Sequence, residues 1–323
     1  MATNTTTTLV DQYRRHYDTE LLEKAQWDLR LNQFGARRPL PRGLGAKTIR
    51  FFRRMLANSA NVQNITEGVV INVFTDYVYE KVDVDLLQIG EAMKYTDVAG
   101  WTALLDILDD GIMYLGENMA LKADDMTWGV IAHPTTGLQK RYAGGAANFT
   151  ALGALTGTTG KYVTTDGLAA VTKLKVNKAP KKNGFYVAIV GPQVAHDVQQ
   201  DSRWLNVHTY SANTELFNGE IGKLDGIRYV ETNNVWGESA TEGTRDTATP
   251  TIWASVFTGT DSYGVVELSG KGPNSPKIEV IDKADKSDPL NQLLICGWSA
   301  YYNSAVLNPQ FGQIVRSKST FAG

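Results

Sequence analysis

Cysteine is almost missing from this sequence: among its 323 residues, Cys296 is the only one. A single cysteine excludes a disulfide within the chain and a cysteine-rich zinc site. Cys296 lies in the apolar run Leu293–Trp298, and no histidine close to it in sequence is available as a base. We therefore expect a small, buried apolar side chain rather than a nucleophile.

Histidines and clustered metal ligands are also scarce. The four histidines are His16, His133, His196 and His208. None lies four residues from another, which excludes a metal-binding pair on one helix. His196 and Asp197 are adjacent, but neighbouring helical positions point about 100° apart and do not favour a catalytic dyad. Asp83 and Asp85 share a predicted strand face, where a metal or acid–base pair competes with the favoured interpretation, a solvated hairpin face.

Long hydrophobic runs do not occur. No stretch of about 18 apolar residues is present, so we predict no membrane-spanning helix and no membrane partner. The threonine-rich segment Met1–Thr8 lacks the basic-then-apolar layout of a secretory signal, and we expect synthesis in the cytosol. With 42% hydrophobic and 20% charged residues, the composition is typical of a folded globular protein with a sizeable core.

A phosphate-binding loop is absent as well, although Leu155–Tyr162 superficially resembles one. Leu155 stands where such a loop needs glycine, and Tyr162 stands where a serine or threonine would hold magnesium. We interpret the segment as a surface loop. Catalytic, cofactor-binding and metal-binding residues are therefore all predicted as none, and the protein is predicted not to be an enzyme.

Charge is low overall but unevenly distributed. The formal net charge is −2, which does not favour nucleic-acid binding by bulk charge. Residues 30–54, however, hold eight basic residues, seven of them arginine, and no Asp or Glu. Three interpretations stay open: a solvated arm, forked pairing with another subunit, or contact with nucleic acid. The members of this basic ribbon that we single out are Arg37, Arg38, Arg42, Lys47, Arg50, Arg53 and Arg54.

Two β-like segments flank a polar stretch near residue 60. They are Thr48–Arg53 and Val69–Asp85, and the end of the second alternates strictly between charged and apolar residues. We predict a protruding hairpin, which as a two-stranded ribbon leans on a neighbour. Before it, helical spacing over Leu9–Leu31 gives way to prolines and glycines between residues 39 and 45, which predicts an extended arm carrying one helix.

The clearest helical pattern runs from Val98 to Ala123. Its apolar stripe consists of Trp101, Leu104, Leu108, Ile112, Leu115 and Met119. Acidic residues fall about half a turn away, which predicts a solvated opposite face made of Asp106, Asp110, Glu117 and Asp124, with Asp109 and Asp125 beside them.

The rest of the chain predicts an α+β fold with helices segregated from an antiparallel sheet. Helices are expected over Asp166–Val176, with Thr165 as N-cap, and from Pro192 to Gln200. Strands are expected over Phe185–Val190, Ile227–Glu231, Ile252–Thr258, Gly264–Leu268, Ile278–Asp282 and Leu293–Tyr302.

The segment Glu215–Asn234 strongly resembles a signature of one family of tailed-bacteriophage major capsid proteins. Further segments match the same family in the same order, and together they cover about residues 20 to 315. They are Gln33–Gly35, Arg38–Pro41, Lys47–Phe51, Ile65–Val69, Val194–Asp197, Asp201–Trp204 and Ala305–Pro309.

The resemblance implies the HK-ninety-seven-like capsid fold. Its expected parts are an N-terminal arm (1–45), an extended β-hairpin loop (46–96), a peripheral domain (97–185 and 293–323) with a spine helix (98–123), and a mixed α/β axial domain (186–292). The loop tip, implied to reach over a neighbouring subunit, consists of Ile65, Thr66, Glu67 and Gly68. The axial-domain signature consists of Phe217, Asn218, Gly219, Glu220, Ile221 and Gly222.

The function implied by the resemblance is that of a major capsid protein. Copies are expected to form hexamers and pentamers of an icosahedral shell around phage double-stranded DNA, assembled in the host bacterial cytoplasm and retained in the virion. Portal, scaffolding and decoration proteins are further implied partners. Too few residues precede the arm to hold a scaffolding segment of the size some members carry, so we expect a processed chain or a separate scaffolding protein. The alternatives are a cellular nanocompartment shell of the same fold and an unrelated enzyme or binding protein.

Overall fold

The computed structural model describes residues 30–41, 47–54, 59–65, 67–70, 74–76, 78–102, 107–156, 158–205, 220–269, 277–281 and 292–321. The helices are α1 (Arg30–Phe34), α2 (Asp97–Thr102), α3 (Ile107–Ile131), α4 (Phe149–Ala154), α5 (Thr164–Val176) and α6 (Pro192–Gln200). The strands are β1 (Ala36–Pro41), β2 (Thr48–Arg54), β3 (Tyr79–Asp85), β4 (Leu87–Thr96), β5 (Gln139–Tyr142), β6 (Tyr186–Val190), β7 (Glu220–Leu224), β8 (Ile227–Glu231), β9 (Trp236–Glu238), β10 (Ile252–Thr258), β11 (Tyr263–Ser269), β12 (Lys277–Ile281), β13 (Leu293–Val306) and β14 (Gly312–Ser317).

A five-stranded sheet is built around β13, whose 14 residues make it the longest of these strands. Its path is β1–β11–β13–β12, and β4 also pairs with β13 in antiparallel register from Leu293 opposite Thr96 to Tyr302 opposite Leu87. Strand β1 runs parallel to β11. Its two prolines fit this position because proline, which donates no hydrogen bond, is tolerated at a sheet edge.

A seven-stranded sheet has the order β5–β14–β10–β6–β8–β7, with β9 also on β10. The pairs β5–β14 and β6–β8 are parallel, whereas β10 is antiparallel to β6, β9 and β14. The expectation of an antiparallel sheet is therefore wrong in part, since both large sheets also contain parallel pairs. The α+β class itself is confirmed.

Helices cover both faces of the seven-stranded sheet, and the alternation along β6 shows how. Val187 and Ile189 belong to a core shared with α3, while Tyr186, Ala188 and Val190 belong to a second core with α5 and α6. The first core also contains apolar residues of β11 and β13, so α3 joins the two sheets. Helix α3 therefore packs against strands of both large sheets.

The long helix differs from its prediction at its C-terminal end. It extends to Ile131 rather than Ala123, and Trp128 and Ile131, which come four and seven residues after Asp124 on the face predicted to be solvated, are buried. Ile112, Leu115 and Met119 are buried as predicted, and Asp109, Asp110 and Glu117 are exposed. Residues 103–106, which include Leu104 and Asp106, lie outside the described residues.

Asp124 was predicted to be solvated and is instead fully buried. The reason is that α1 packs on this face of α3 and brings polar groups with it. The Tyr302 hydroxyl donates to Asn32 Oδ1 at 2.6 Å and lies 2.6 Å from the Thr127 hydroxyl. Burial, followed by the nearby Asp124 carboxylate, raises the pKa of Tyr263, whose hydroxyl donates to the Leu31 carbonyl. Around Asp124, a buried polar cluster therefore replaces the expected solvated face, while Asp109, Asp110 and Glu117 stay exposed.

Other boundaries also shift. In the described part of the chain, the second hairpin strand begins at Tyr79 rather than Val69. Helix α5 begins at Thr164, and Thr165 is not its N-cap: the Asp201 carboxylate accepts from the backbone N–H and hydroxyl of Thr164, both at 2.9 Å. Strands β1, β4, β5, β7, β9 and β14 had no counterpart among the predicted strands. The predicted helix over Leu9–Leu31 falls outside the described residues except for its end.

Candidate functional site

The β2–β3 hairpin forms a two-stranded sheet of its own, and its base is anchored to the five-stranded sheet. Antiparallel pairing runs from Thr48 opposite Asp85 to Arg54 opposite Tyr79. A small apolar cluster at the base consists of Phe51, Val84, Leu86, Val266 and Leu307. Because two of these residues belong to β11 and the turn after β13, the hairpin is fixed to the main body at this end.

Beyond its base, the hairpin loop presents apolar side chains to solvent. They are between 55% and 87% exposed, and they are Phe52, Val62, Ile65, Val69, Val70, Phe74, Val78 and Tyr79. Phe52 and Tyr79 pack edge to face, with ring centroids 6.4 Å apart, but the others do not belong to any apolar core of the chain. This many large apolar side chains exposed in one loop mark a candidate interaction surface.

The predicted loop tip is part of this exposed stretch. Ile65, Glu67 and Gly68 are exposed, and Gly68 has φ +80°, a left-handed conformation that favours glycine. Thr66 lies outside the described residues. The Asn61 amide donates to the Thr75 hydroxyl at 3.3 Å, which links the two sides of the loop. The tip is thus a polar turn between apolar flanks.

Two members of the basic ribbon find carboxylates on the neighbouring strand. Arg50 donates to both Asp83 oxygens, at 2.6 and 2.9 Å. The hydrogen bond from Arg50 lowers the pKa of Asp83. Arg53 pairs with Glu80 and also donates to the Leu307 carbonyl at 3.1 Å. Asp83 and Asp85 therefore serve the hairpin itself, since Asp85 accepts from the Thr48 hydroxyl.

The other ribbon residues are dispersed. Arg37 donates to the Asn32 carbonyl at 2.9 Å, and the Arg38 guanidinium lies 5.5 Å from the centre of the Phe51 ring. Lys47 is exposed. Arg42 and the side chain of Arg54 lie outside the described residues. Of the described ribbon residues, some therefore hold the hairpin together, and others lie along β1, where Arg38 contacts the hairpin residue Phe51.

The predicted axial-domain signature is only partly described. Glu220, Ile221 and Gly222 lie on β7, the edge strand of the seven-stranded sheet, with a register shift between Glu220 and Gly222. Phe217, Asn218 and Gly219 lie outside the described residues. The following turn, Asp225–Gly226, has φ +53° and +79°, as a tight two-residue hairpin turn requires.

The residues weighed above for catalysis or phosphate binding make structural contacts in the described part of the chain. Cys296 is free and buried, and burial raises the pKa of its thiol. Asp197 accepts from the Thr320 backbone N–H at 3.2 Å, so its carboxylate holds the C-terminal segment. Tyr162 of the supposed phosphate loop is buried, with its hydroxyl 3.2 Å from that of Tyr229. Among the described residues, no group of three or more potential ligands is placed to hold a metal ion.

A buried charge network was not anticipated. Arg316 donates to Glu238 through Nε at 2.7 Å and through Nη2 at 3.0 Å, and to the Ala132 carbonyl at 2.9 Å. Glu242 lies 3.1 Å from Arg316 and 2.9 Å from Lys140. No local pattern signals this network, because Arg316 and Glu238 are 78 residues apart in sequence.

None of the described helices is long and apolar enough to cross a membrane.

No protein-family model and no curated protein matches the chain. Solved structures do. The capsid of cyanophage P-SCSP1u is 17% identical with a TM-score of 0.61, covering 87% of this chain and 86% of that one. The cyanophage Pam1 capsid is 14% identical with a TM-score of 0.66, covering 91% and 94%. The holo-SrpI encapsulin complex of Synechococcus elongatus PCC 7942 is 11% identical with a TM-score of 0.55, covering 90% and 88%. The chain therefore has the HK-ninety-seven-like fold of phage capsid proteins.

Proposed function

We propose that this protein is a phage major capsid protein, whose copies assemble into a closed shell around double-stranded DNA. The observation that carries the proposal is the exposed apolar hairpin loop, which the single chain leaves uncovered. The shared fold supports it, because it extends over about nine-tenths of this chain and of the cyanophage Pam1 capsid. A subunit of this kind acts by association and catalyses no reaction.

The occupant of the hairpin surface is a second copy of the chain. Covering an apolar side chain of this size stabilises an interface by roughly 1–2 kcal/mol. Several such contacts per subunit, closing around a ring and then a shell, stabilise the assembly through multivalency even where each contact is weak. Hexamers and pentamers are the capsomers we infer, since closed symmetry lets every copy use the same surface.

A cellular nanocompartment shell is the second candidate, favoured by the likeness to the encapsulin. The two differ in contents rather than in subunit fold. Purified particles that contain DNA support the phage shell, whereas particles that contain a captured protein and no DNA support the nanocompartment. We expect DNA.

Matched valine substitutions test the proposal. Val69 lies in the hairpin loop and is 65% exposed, while Val176 lies at the end of α5 and is 69% exposed. We expect V69S to reduce the yield of closed particles by about tenfold, as a loss of about 1.4 kcal/mol per contact implies, and V69S/F74S to abolish them. Particle yield is measured by negative-stain microscopy and sedimentation.

The control for this experiment is V176S, which should assemble like the parent chain. All three variants alter exposed side chains, so their thermal unfolding temperatures should stay close to that of the parent. Equal loss of particles in V69S and V176S would remove the hairpin from the mechanism. A parent chain that stays monomeric under every assembly condition would overturn the proposed function itself.

A further inference from the structure

A second basic surface lies at the C-terminal end of α5. Residues 173–182 hold five lysines and no acidic residue. The β7–β8 hairpin adds two more cations close to them. We define the lysine patch as Lys175, Lys178, Lys181, Lys182, Lys223 and Arg228.

A tight turn joins the last of these lysines to Phe185, the aromatic residue that the cations of the β7–β8 hairpin contact. Asn183 and Gly184 have φ +51° and +85°, and Lys182 and Phe185 exchange backbone hydrogen bonds of 2.9 and 3.1 Å across the turn. Phe185 is thereby folded back beside the lysines. Lys223 Nζ and the Arg228 guanidinium lie 5.2 and 5.7 Å from the centre of its ring. The two cations of the β7–β8 hairpin thus lie against an aromatic side chain that directly follows the lysine-rich segment in sequence.

The patch differs from the basic ribbon in how its charges are balanced. Arg50 and Arg53 of the ribbon are paired with carboxylates of the same chain. Among the described residues, by contrast, Lys175, Lys178, Lys181 and Lys223 form no ion pair. Asp225, which lies in the β7–β8 turn, is engaged with Arg203 at 2.9 Å.

The patch adjoins the first part of the ribbon. Lys182 Nζ donates to the Gln33 carbonyl at 2.9 Å, and its pKa is lowered by burial and then by the positive charge of Arg37, although Asp261 opposes this. The lysine patch and the arginines of β1 are therefore neighbours through Lys182 and Arg37. Stabilisation of the α5 C-terminus by its dipole accounts for Lys173 and Lys175, which lie in its last turn, but not for the cations beyond it.

We propose that the lysine patch binds the phosphodiester backbone of double-stranded DNA without reading its sequence. Lysine ammonium groups on flexible stems suit phosphates at varying positions, whereas fixed pairing with protein carboxylates favours arginine. Contacts to phosphate position a duplex but carry no sequence information. The inference rests on the proposed function, because the enclosed DNA is the polyanion that the patch meets.

The test uses the full chain and a short fluorescein-labelled DNA duplex of mixed sequence, with affinity measured by anisotropy between about 50 and 200 mM salt. The triple variant K178Q/K181Q/K223Q removes three exposed cations of the patch. The matched control K81Q/K94Q/K122Q removes three exposed lysines elsewhere. We expect the patch variant to bind about tenfold or more weakly and the slope of log K against log salt to shrink by about 2 to 3, since each phosphate contact contributes about 0.9.

Three results would overturn the inference. The first is unchanged affinity and slope in the patch variant, and the second is an equal loss in the control. The third is loss of capsomers with unchanged DNA binding, which would make another copy of the chain the partner of the patch. Particle formation is scored separately by microscopy. A parent chain that never forms particles would contradict the proposed function. Normal particles of the patch variant with unaltered DNA binding would contradict only the DNA-binding role of the lysine patch.

Discussion

Arg316 and Glu238 are oppositely charged side chains with no exposure to solvent. Glu238 also accepts from the Trp236 indole at 2.9 Å and from the Gly243 backbone at 3.0 Å, so its oxygens are fully engaged. Arg316 lies on β14, and its bond to the Ala132 carbonyl links that strand to the end of α3. A buried pair contributes little net stability, because desolvation offsets attraction, but removing one partner leaves a buried charge uncompensated.

We predict that R316M lowers the free energy of unfolding by about 3–5 kcal/mol, because Glu238 is then buried without its cation. The double variant R316M/E238Q should recover part of this loss, since glutamine carries no charge and still accepts hydrogen bonds. Thermal and urea unfolding, followed by circular dichroism, give both values. If the double variant is no more stable than R316M, the uncompensated charge is not the cause.

Single residues could be predicted from sequence only where the reason was local. The burial of Cys296 followed from its apolar neighbours and is confirmed. Asp124 was predicted wrongly, because helical periodicity cannot show that a distant segment, α1, covers the second face of α3. The same limit hid the Arg316–Glu238 pair.

Among the elements, α3 carries glycines in two different environments. An added Cβ at Gly111 would overlap the Tyr95 hydroxyl and approach its ring carbon Cζ to 3.0 Å. At Gly129 the nearest atom is Trp236 Cη2 at 3.9 Å, an ordinary contact. Gly111 is therefore a site of close approach between α3 and β4, whereas Gly129 is only a weak helix former.

We predict opposite effects for alanine at these positions. G111A should lower stability by about 1–3 kcal/mol through overpacking, and G129A should raise it by about 0.5–1 kcal/mol through helix propensity. Unfolding in urea measures both changes. Adding Y95F to G111A should restore part of the loss, and a G111A chain as stable as G129A would show that β4 does not pack as described.

Helices and strands whose apolar residues repeat regularly could be predicted from the sequence, and those without such a repeat could not. The long helix, the hairpin and β10 were recognisable because their apolar residues repeat at helical or strand spacing. Strand β1 contains two prolines, and its pairing with β11 is decided by a partner more than 220 residues away. Strand β4 was likewise placed in the loop, although ten of its residues pair with β13.

At the scale of the whole molecule, the hairpin combines a fixed base with an exposed apolar end. Its exposure could be anticipated because a two-stranded ribbon is marginal alone. What sequence could not reveal is that Arg50 and Arg53 have carboxylate partners on β3, because the pairing depends on strand register. The lysine run of residues 173–182 is visible in the sequence, but the approach of Lys223 and Arg228 to Phe185 depends on the fold.

We predict that the charge reversal R50E blocks particle formation while the chain stays folded. It places a second carboxylate opposite Asp83 in the hairpin, and like charges across a strand pair are destabilising. The swap R50E/D83R should restore particles, and K81E, on the same exposed hairpin, should assemble normally. Microscopy gives the yield. Should the swap fail to restore assembly, the partner of Arg50 that matters lies on another copy.

The ten paired positions between β4 and β13 have a mechanical consequence. The hairpin connects to β4 through Leu86 alone, so tension pulled along that strand acts in shear on its hydrogen bonds with β13. Bonds loaded in shear share the force and must yield together, whereas bonds that are peeled break one at a time. A force on the hairpin that acts along β4 is therefore shared over the ten positions paired with β13, the central strand of the five-stranded sheet.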